Sequence, residues 1–152
     1  MPKNKRNLGL QVEKIKLRRQ EIKKNIKGNV FKYLISDEKF NKISEVYFSI
    51  IKKNKIKAWK KNLSAKQFLY VFKGKVEFVV FDDRAYKLKK VKKYFLGPNL
   101  KYSKILIPKN VWYGFKGIGN ENIIVNSLSI RHNKCKMVDL NYKNKIIPFI
   151  WK

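Results

Sequence analysis

The chain has one cysteine, one histidine and four prolines in 152 residues, and only ten acidic residues against thirty-eight basic ones. The lone Cys135 can form neither an internal disulfide nor a zinc cluster, and reads as a plain thiol. The lone His132, in SIRHNK, cannot supply the several imidazoles of a histidine-rich metal site, so neither a metal nor a cofactor is expected. It follows a strand end and reads as a loop residue, which also argues against Ser-His-Asp or Cys-His chemistry. The chain opens MPKNKRNLGLQVEKIK, charged almost throughout and without an apolar run of signal-peptide length. No later stretch approaches the ~20 apolar residues of a membrane span, so a cytoplasmic protein is expected. Gly114, Gly117 and Gly119 superficially suggest a phosphate loop, but no strand-to-helix pattern surrounds them, and they read as turn residues.

The charge is the most conspicuous feature that is present. A formal net charge of +28 and a pI near 10.2 ordinarily point to nucleic acid, an anionic membrane or a phosphorylated ligand. Here nearly all of it is lysine, spread along the whole chain, with Asn and Ile also abundant, as AT-rich codons would produce. Readers of bases favour bidentate arginine, and neither a helix-turn-helix, a zinc finger nor an aromatic RNA-binding signature occurs. The charge is read as compositional, and nucleic acid is not an expected partner.

At 44% hydrophobic and 14% aromatic, the chain can core one domain. EVYFSII, QFLYVF and KVEFVVFD are rich in β-branched and aromatic residues, and Val76, Phe78 and Val80 fall on one face. Further strands are expected near residues 55–61, 91–96, 105–107, 112–115 and 123–128, separated by breakers at 97–99, 108–110 and 117–120. Between the second and third segments Lys73-Gly74 suits a tight turn, because Gly takes positive φ. So many short strands predict an all-β sandwich or barrel. LRRQEIKKN, residues 17–25, is ambiguous between an exposed helix and a strand with a polar loop. Residues 39–44 suggest a short helical turn, and YKLKKVKK, residues 86–93, a charged sheet edge. The resulting division is a basic N-terminal arm, edge strand or loop, over residues 1–27, and a β domain over 28–152.

Four segments in order carry a resemblance: IKAWKKN, QFLYVFKGKVEFVVFDDR, ILIPKNVWYGFKG and the terminal IIPFIW. Together they resemble the dTDP-4-dehydrorhamnose 3,5-epimerase family, whose hallmarks include a Gly-containing turn leading to Asp-x-Arg, an Ile-Pro turn running into His-Gly-Phe, and a terminal Ile-x-x-x-Trp. The resemblance implies a cupin-type antiparallel jelly roll, a homodimer, no metal, and a nucleotide-sugar ligand of surface-polysaccharide sugar biosynthesis.

Epimerisation beside a ketone needs a base, an acid and stabilisation of the enolate oxygen. By the resemblance, the family's base His falls on Lys60, its acid Tyr on Asn126, its enolate-side Lys on Gln67 and its supporting Asp near Asn144. Tyr113 stands where the family has the His of His-Gly-Phe, and Asp82 and Arg84 match its Asp-x-Arg. The expectation is therefore a divergent nucleotide-sugar epimerase or isomerase with Lys60 and Tyr113 as the catalytic pair. Lys57, Trp59, Gln67, Asp82, Arg84 and Asn126 are the expected substrate-binding residues. The alternative is a non-catalytic nucleotide-sugar or glycan-binding protein on the same fold, since the usual His, Asp and Tyr are replaced.

Overall fold

A computed structural model describes residues 12–33, 42–84 and 89–152. Alternation of inward apolar and outward polar residues builds two five-stranded sheets that face each other. The first holds β1 (Lys16–Arg19), β4 (Glu45–Lys52), β6 (Gln67–Lys73), β9 (Ser103–Ile107) and β11 (Glu121–Leu128), in the order β1-β9-β6-β11-β4. The second holds β5 (Ile56–Asn62), β7 (Val76–Asp82), β8 (Lys90–Leu96), β10 (Trp112–Gly117) and β12 (Met137–Asp139), in the order β12-β5-β10-β7-β8. All strand pairings within the two sheets are antiparallel, as a jelly roll requires. A two-stranded ribbon, β2 (Ile22–Lys23) with β3 (Val30–Phe31), completes the strands. Among the described residues there is no α-helix, and no helix long and apolar enough to cross a membrane.

Both sheets contribute to one interior. Leu69, Val71, Ile105, Ile107 and Ile124 from the first meet Val76, Phe78, Val80, Tyr113 and Phe115 from the second. Burying a side chain such as Phe78 or Ile107 contributes about 1.5–3 kcal/mol, so this layer is the main source of stability. Phe78 stacks between Tyr113 and Phe115, with ring centroids 6.0 and 5.9 Å away.

The outer faces are covered by chain from the two ends. Trp59, Val79, Phe81 and Trp112 pack beneath the terminal segment through Ile147, Phe149 and Trp151. On the other sheet, Tyr70, Tyr102 and Val125 lie under Ile22, Phe31 and Tyr33 from the N-terminal part. Lys104 is buried there, its Nζ donating to the Tyr33 carbonyl at 3.2 Å; burial holds its pKa below the usual lysine range, with Arg18 adding repulsion.

The ambiguous residues 17–25 form strands rather than a helix. β1 extends the first sheet by pairing with β9, and β2 begins at Ile22, separated from β1 by Gln20 and Glu21. Lys39 to Asn41 of the suggested helical turn lie outside the described residues, and the chain from Lys42 to Ser44 is not helical. Tyr86 to Leu88 of the charged edge also lie outside them, while Lys90 to Lys93 do belong to β8, an edge strand. Gly74 has the positive φ anticipated for its turn, +85°. That turn does not close a hairpin. β6 and β7 belong to opposite sheets, so Lys73-Gly74 carries the chain across the interior from one wall to the other.

Candidate functional site

Strand register decides which side chains meet. Tyr113 on β10 is the cross-strand partner of Lys60 on β5, and Lys60 is in turn the partner of Asp139 on β12. Partners in an antiparallel ladder share a face, so Tyr113, Lys60 and Asp139 form one row across three strands. Tyr113 belongs to the interior cluster, which makes this the inward face. Lys60 Nζ lies 3.3 Å from Asp139 Oδ1, and both side chains retain solvent access. Tyr113 is only 3% exposed. Burial pushes its hydroxyl far above the usual phenol range, so it stays protonated at every physiological pH.

The opposite wall carries a neutral polar group. Asn126 on β11 pairs in register with Tyr47 on β4, and its Nδ2 lies 2.6 Å from the Tyr47 hydroxyl. The same Nδ2 lies 3.4 Å from Oε1 of Gln67, at the start of β6. Gln67 and Asn126 are 1% and 3% exposed, and Gln67 Nε2 and Asn126 Oδ1 have no hydrogen-bond partner. The Gln67 amide is near enough to the Tyr113 hydroxyl to oppose part of its upward shift, yet no bond between them reaches hydrogen-bond geometry. Burial also raises the Tyr47 hydroxyl, with Asn126 opposing the shift, and the ring stands edge-on to His132.

Of the residues anticipated from sequence, Lys60, Tyr113, Gln67 and Asn126 are thus brought together at one end of the interior. The others sit elsewhere. Trp59 is fully buried on the opposite face of β5, tilted against Trp151 at 5.2 Å. Lys57 donates to the Ile50 carbonyl at 2.9 Å and ties the second sheet to the edge of the first. Arg84 is committed to Asp82 through two bonds of 2.8 Å and to the Glu13 carbonyl at 2.7 Å. The guanidinium holds the Asp82 carboxyl below the usual range. Glu13 also lies 3.4 Å from Lys66, so the segment before β1 bridges the end of β7 and the approach to β6. Lys61 lies on the outer face, paired with Asp83 at 2.9 Å and over the Trp112 ring at 4.6 Å.

Two members of the site escaped the sequence reading. Asp139, not Asn144, faces Lys60; the Asn144 Oδ1 accepts from the Ile146 N–H in a local turn. Tyr47 was hidden among the apolar residues of EVYFSII. The alternation there carries the signal: Tyr47, Ser49 and Ile51 share one parity, and Ile51 is core. Among the described residues no group of three or more His, Cys, Asp or Glu could hold a metal ion.

No family model matches the sequence, and no curated protein matches it significantly. Solved structures do. A dTDP sugar isomerase from Desulfovibrio desulfuricans G20 superposes with a TM-score of 0.85 at 26% identity, covering 92% of each chain. A dTDP-6-deoxy-D-glucose-3,5-epimerase from Legionella pneumophila, solved in complex with dTDP-4-keto-L-rhamnose, gives 0.78 at 15% identity over 93% of this chain and 80% of its own. An epimerase from Mycobacterium tuberculosis gives 0.79 at 14% over 93% and 76%. With the jelly-roll topology, these matches show that the chain has the fold of the dTDP-4-dehydrorhamnose 3,5-epimerases and is similar over most of its length to a dTDP sugar isomerase.

Proposed function

We propose that the protein is a nucleotide-sugar isomerase, acting on a dTDP-linked keto-deoxy sugar held between the two walls. The observation that carries this reading is the row Tyr113–Lys60–Asp139. Lys60 is the base that removes a proton beside the sugar carbonyl, and Tyr113, kept protonated by burial, is the acid. Asp139 orients the Lys60 amine through their ion pair. A base must offer a lone pair, so Lys60 acts as the neutral amine in the reacting complex.

The same geometry separates isomerisation from epimerisation. Inverting a carbon needs a base and an acid on opposite faces of the sugar. Lys60 and Tyr113 are neighbours on one sheet and approach a ligand from the same side. That arrangement suits moving protons along one face of an α-hydroxy ketone: Lys60 takes the proton from the hydroxyl-bearing carbon as Tyr113 protonates the carbonyl oxygen, giving an enediol, and Lys60 then returns a proton to the former carbonyl carbon while the neighbouring hydroxyl gives its proton back to Tyr113. In D2O with dTDP-4-keto-6-deoxyglucose, proton NMR should show deuterium entering the sugar ring without inversion. Inversion at an exchanged carbon would overturn the isomerase assignment, and a ligand that binds without exchange would overturn turnover altogether.

One observation favours a second reading. The positions that the resemblance assigns to a cationic and a phenolic group are the neutral amides Gln67 and Asn126. A wall without charge holds a sugar but stabilises an enolate poorly, as a binding protein on this fold would. Either way we propose a homodimer, as the resemblance implies. Val46, Phe48 and Ile50, 46%, 66% and 58% exposed, form an apolar row on the outer face of edge strand β4. Sedimentation should give a dimer at high salt, where the +28 self-repulsion is screened. A monomer at both low and high salt would contradict it.

A further inference from the structure

The wall facing Lys60 contains an unmet hydrogen-bonding demand. Gln67 and Asn126 are almost wholly buried, and their mutual contact uses one N–H and one carbonyl oxygen. What remains is one donor, Gln67 Nε2, and one acceptor, Asn126 Oδ1, both without partners. A buried polar atom left unpaired destabilises the fold that holds it. Two such atoms of opposite kind, on residues that touch each other across the interior from Lys60 and Tyr113, point to a ligand that meets both. Exchanging the ends of both amides changes nothing essential, because one donor and one acceptor are again left over.

From this we infer that Gln67 and Asn126, steadied by Tyr47, are specificity-determining residues that recognise a vicinal pair of sugar oxygens, at least one of them a hydroxyl. One oxygen accepts from Gln67 Nε2, and its neighbour donates to Asn126 Oδ1. An α-hydroxy ketone fits, with the carbonyl on Gln67 and the hydroxyl on Asn126, and so does a pair of adjacent hydroxyls. A phosphate or carboxylate does not fit, since it brings no proton for Asn126 Oδ1. An apolar deoxy carbon satisfies neither atom. Tyr47 fixes the Asn126 amide through their 2.6 Å contact, so that Oδ1 stays in place when the site is empty. It is a positioning residue.

The inference rests on the nucleotide-sugar reading above, and calorimetric titration with two probes separates them. The wild type should bind dTDP-glucose at least about tenfold more tightly than dTDP, a gain of ~1.4 kcal/mol. Gln67→Met and Asn126→Leu, each close to the original volume, should shrink that ratio to about threefold or less while leaving dTDP affinity within about twofold. Tyr47→Phe should give an intermediate ratio. A merely structural role would weaken both ligands together, and a thermal melt of each variant checks that it is folded. Unchanged ratios in both folded variants, or dTDP binding with no gain from the sugar in the wild type, would overturn this inference alone. Failure of the wild type to bind either probe would overturn the nucleotide-sugar reading and this inference with it.

Discussion

Gly114→Ala should destabilise the protein although the backbone there is one that any residue adopts. A Cβ at Gly114 would fall far inside contact with the Ala58 Cβ, 3.0 Å from Trp151 Cζ2 and 3.2 Å from Ala58 Cα. The optimum between carbons is about 3.5–4.0 Å. Gly114 lies where the β10–β5 register shifts, with Ala58 and Trp59 facing it across the irregularity. There is little slack, since Trp151 closes the outer side and Trp59 is fully buried beside it. Overpacking of this kind costs about 1–3 kcal/mol. Replacing Gly by Ala also stiffens the unfolded chain, which offsets about 0.4–1 kcal/mol. The net expectation is a loss of about 1–2 kcal/mol, and at ~2–4 °C per kcal/mol for a chain of this length, a Tm lower by about 2–8 °C. Differential scanning calorimetry measures it directly. Adding Ala58→Gly to the variant should recover part of the loss, with a coupling near 1 kcal/mol in the double-mutant cycle. A Tm that is unchanged or raised in Gly114→Ala would show that the β5–β10 approach is not tight.

Phe78→Ala should cost about 3–5 kcal/mol, because the ring is buried between Tyr113 and Phe115 and its loss leaves a cavity; urea denaturation would read this as a lower midpoint at unchanged slope. Asp82→Asn should lower stability at neutral pH and make it less sensitive to acid. The folded-state pKa of Asp82 is depressed by Arg84, so its stabilisation is present above the ordinary Asp value of about 4 and is lost as pH falls through the lower folded value. Urea midpoints at pH 7 and pH 3 should converge between wild type and variant, and a constant gap would argue against the Asp82–Arg84 account.

Individual strands were legible because each central strand declares itself locally. Val76, Phe78 and Val80 alternate, and the breakers around Pro98 and Pro108 end their neighbours. The N-terminal strands did not declare themselves, since Lys16 to Arg19 carries a single apolar residue and owes its conformation to the β9 edge it joins. Sheet membership was not legible either. Lys73-Gly74 reads as a hairpin turn, and only long-range pairing with β11 and β10 shows that its two strands part company. The site divides in the same way. Lys60, Gln67 and Tyr113 lie in segments that carry a family resemblance, and Asn126 lies between two of them. Asp139 reaches Lys60 across 79 residues of sequence, through a three-residue strand with no local signature.

The central claim is that Lys60 moves the proton. Solvent-deuterium exchange into dTDP-4-keto-6-deoxyglucose, compared between wild type and Lys60→Met, tests it most directly. The account predicts exchange in the wild type and its loss in a Lys60→Met protein that still binds the ligand, with Asp139→Asn slowed but active. Exchange that persists in Lys60→Met would contradict it.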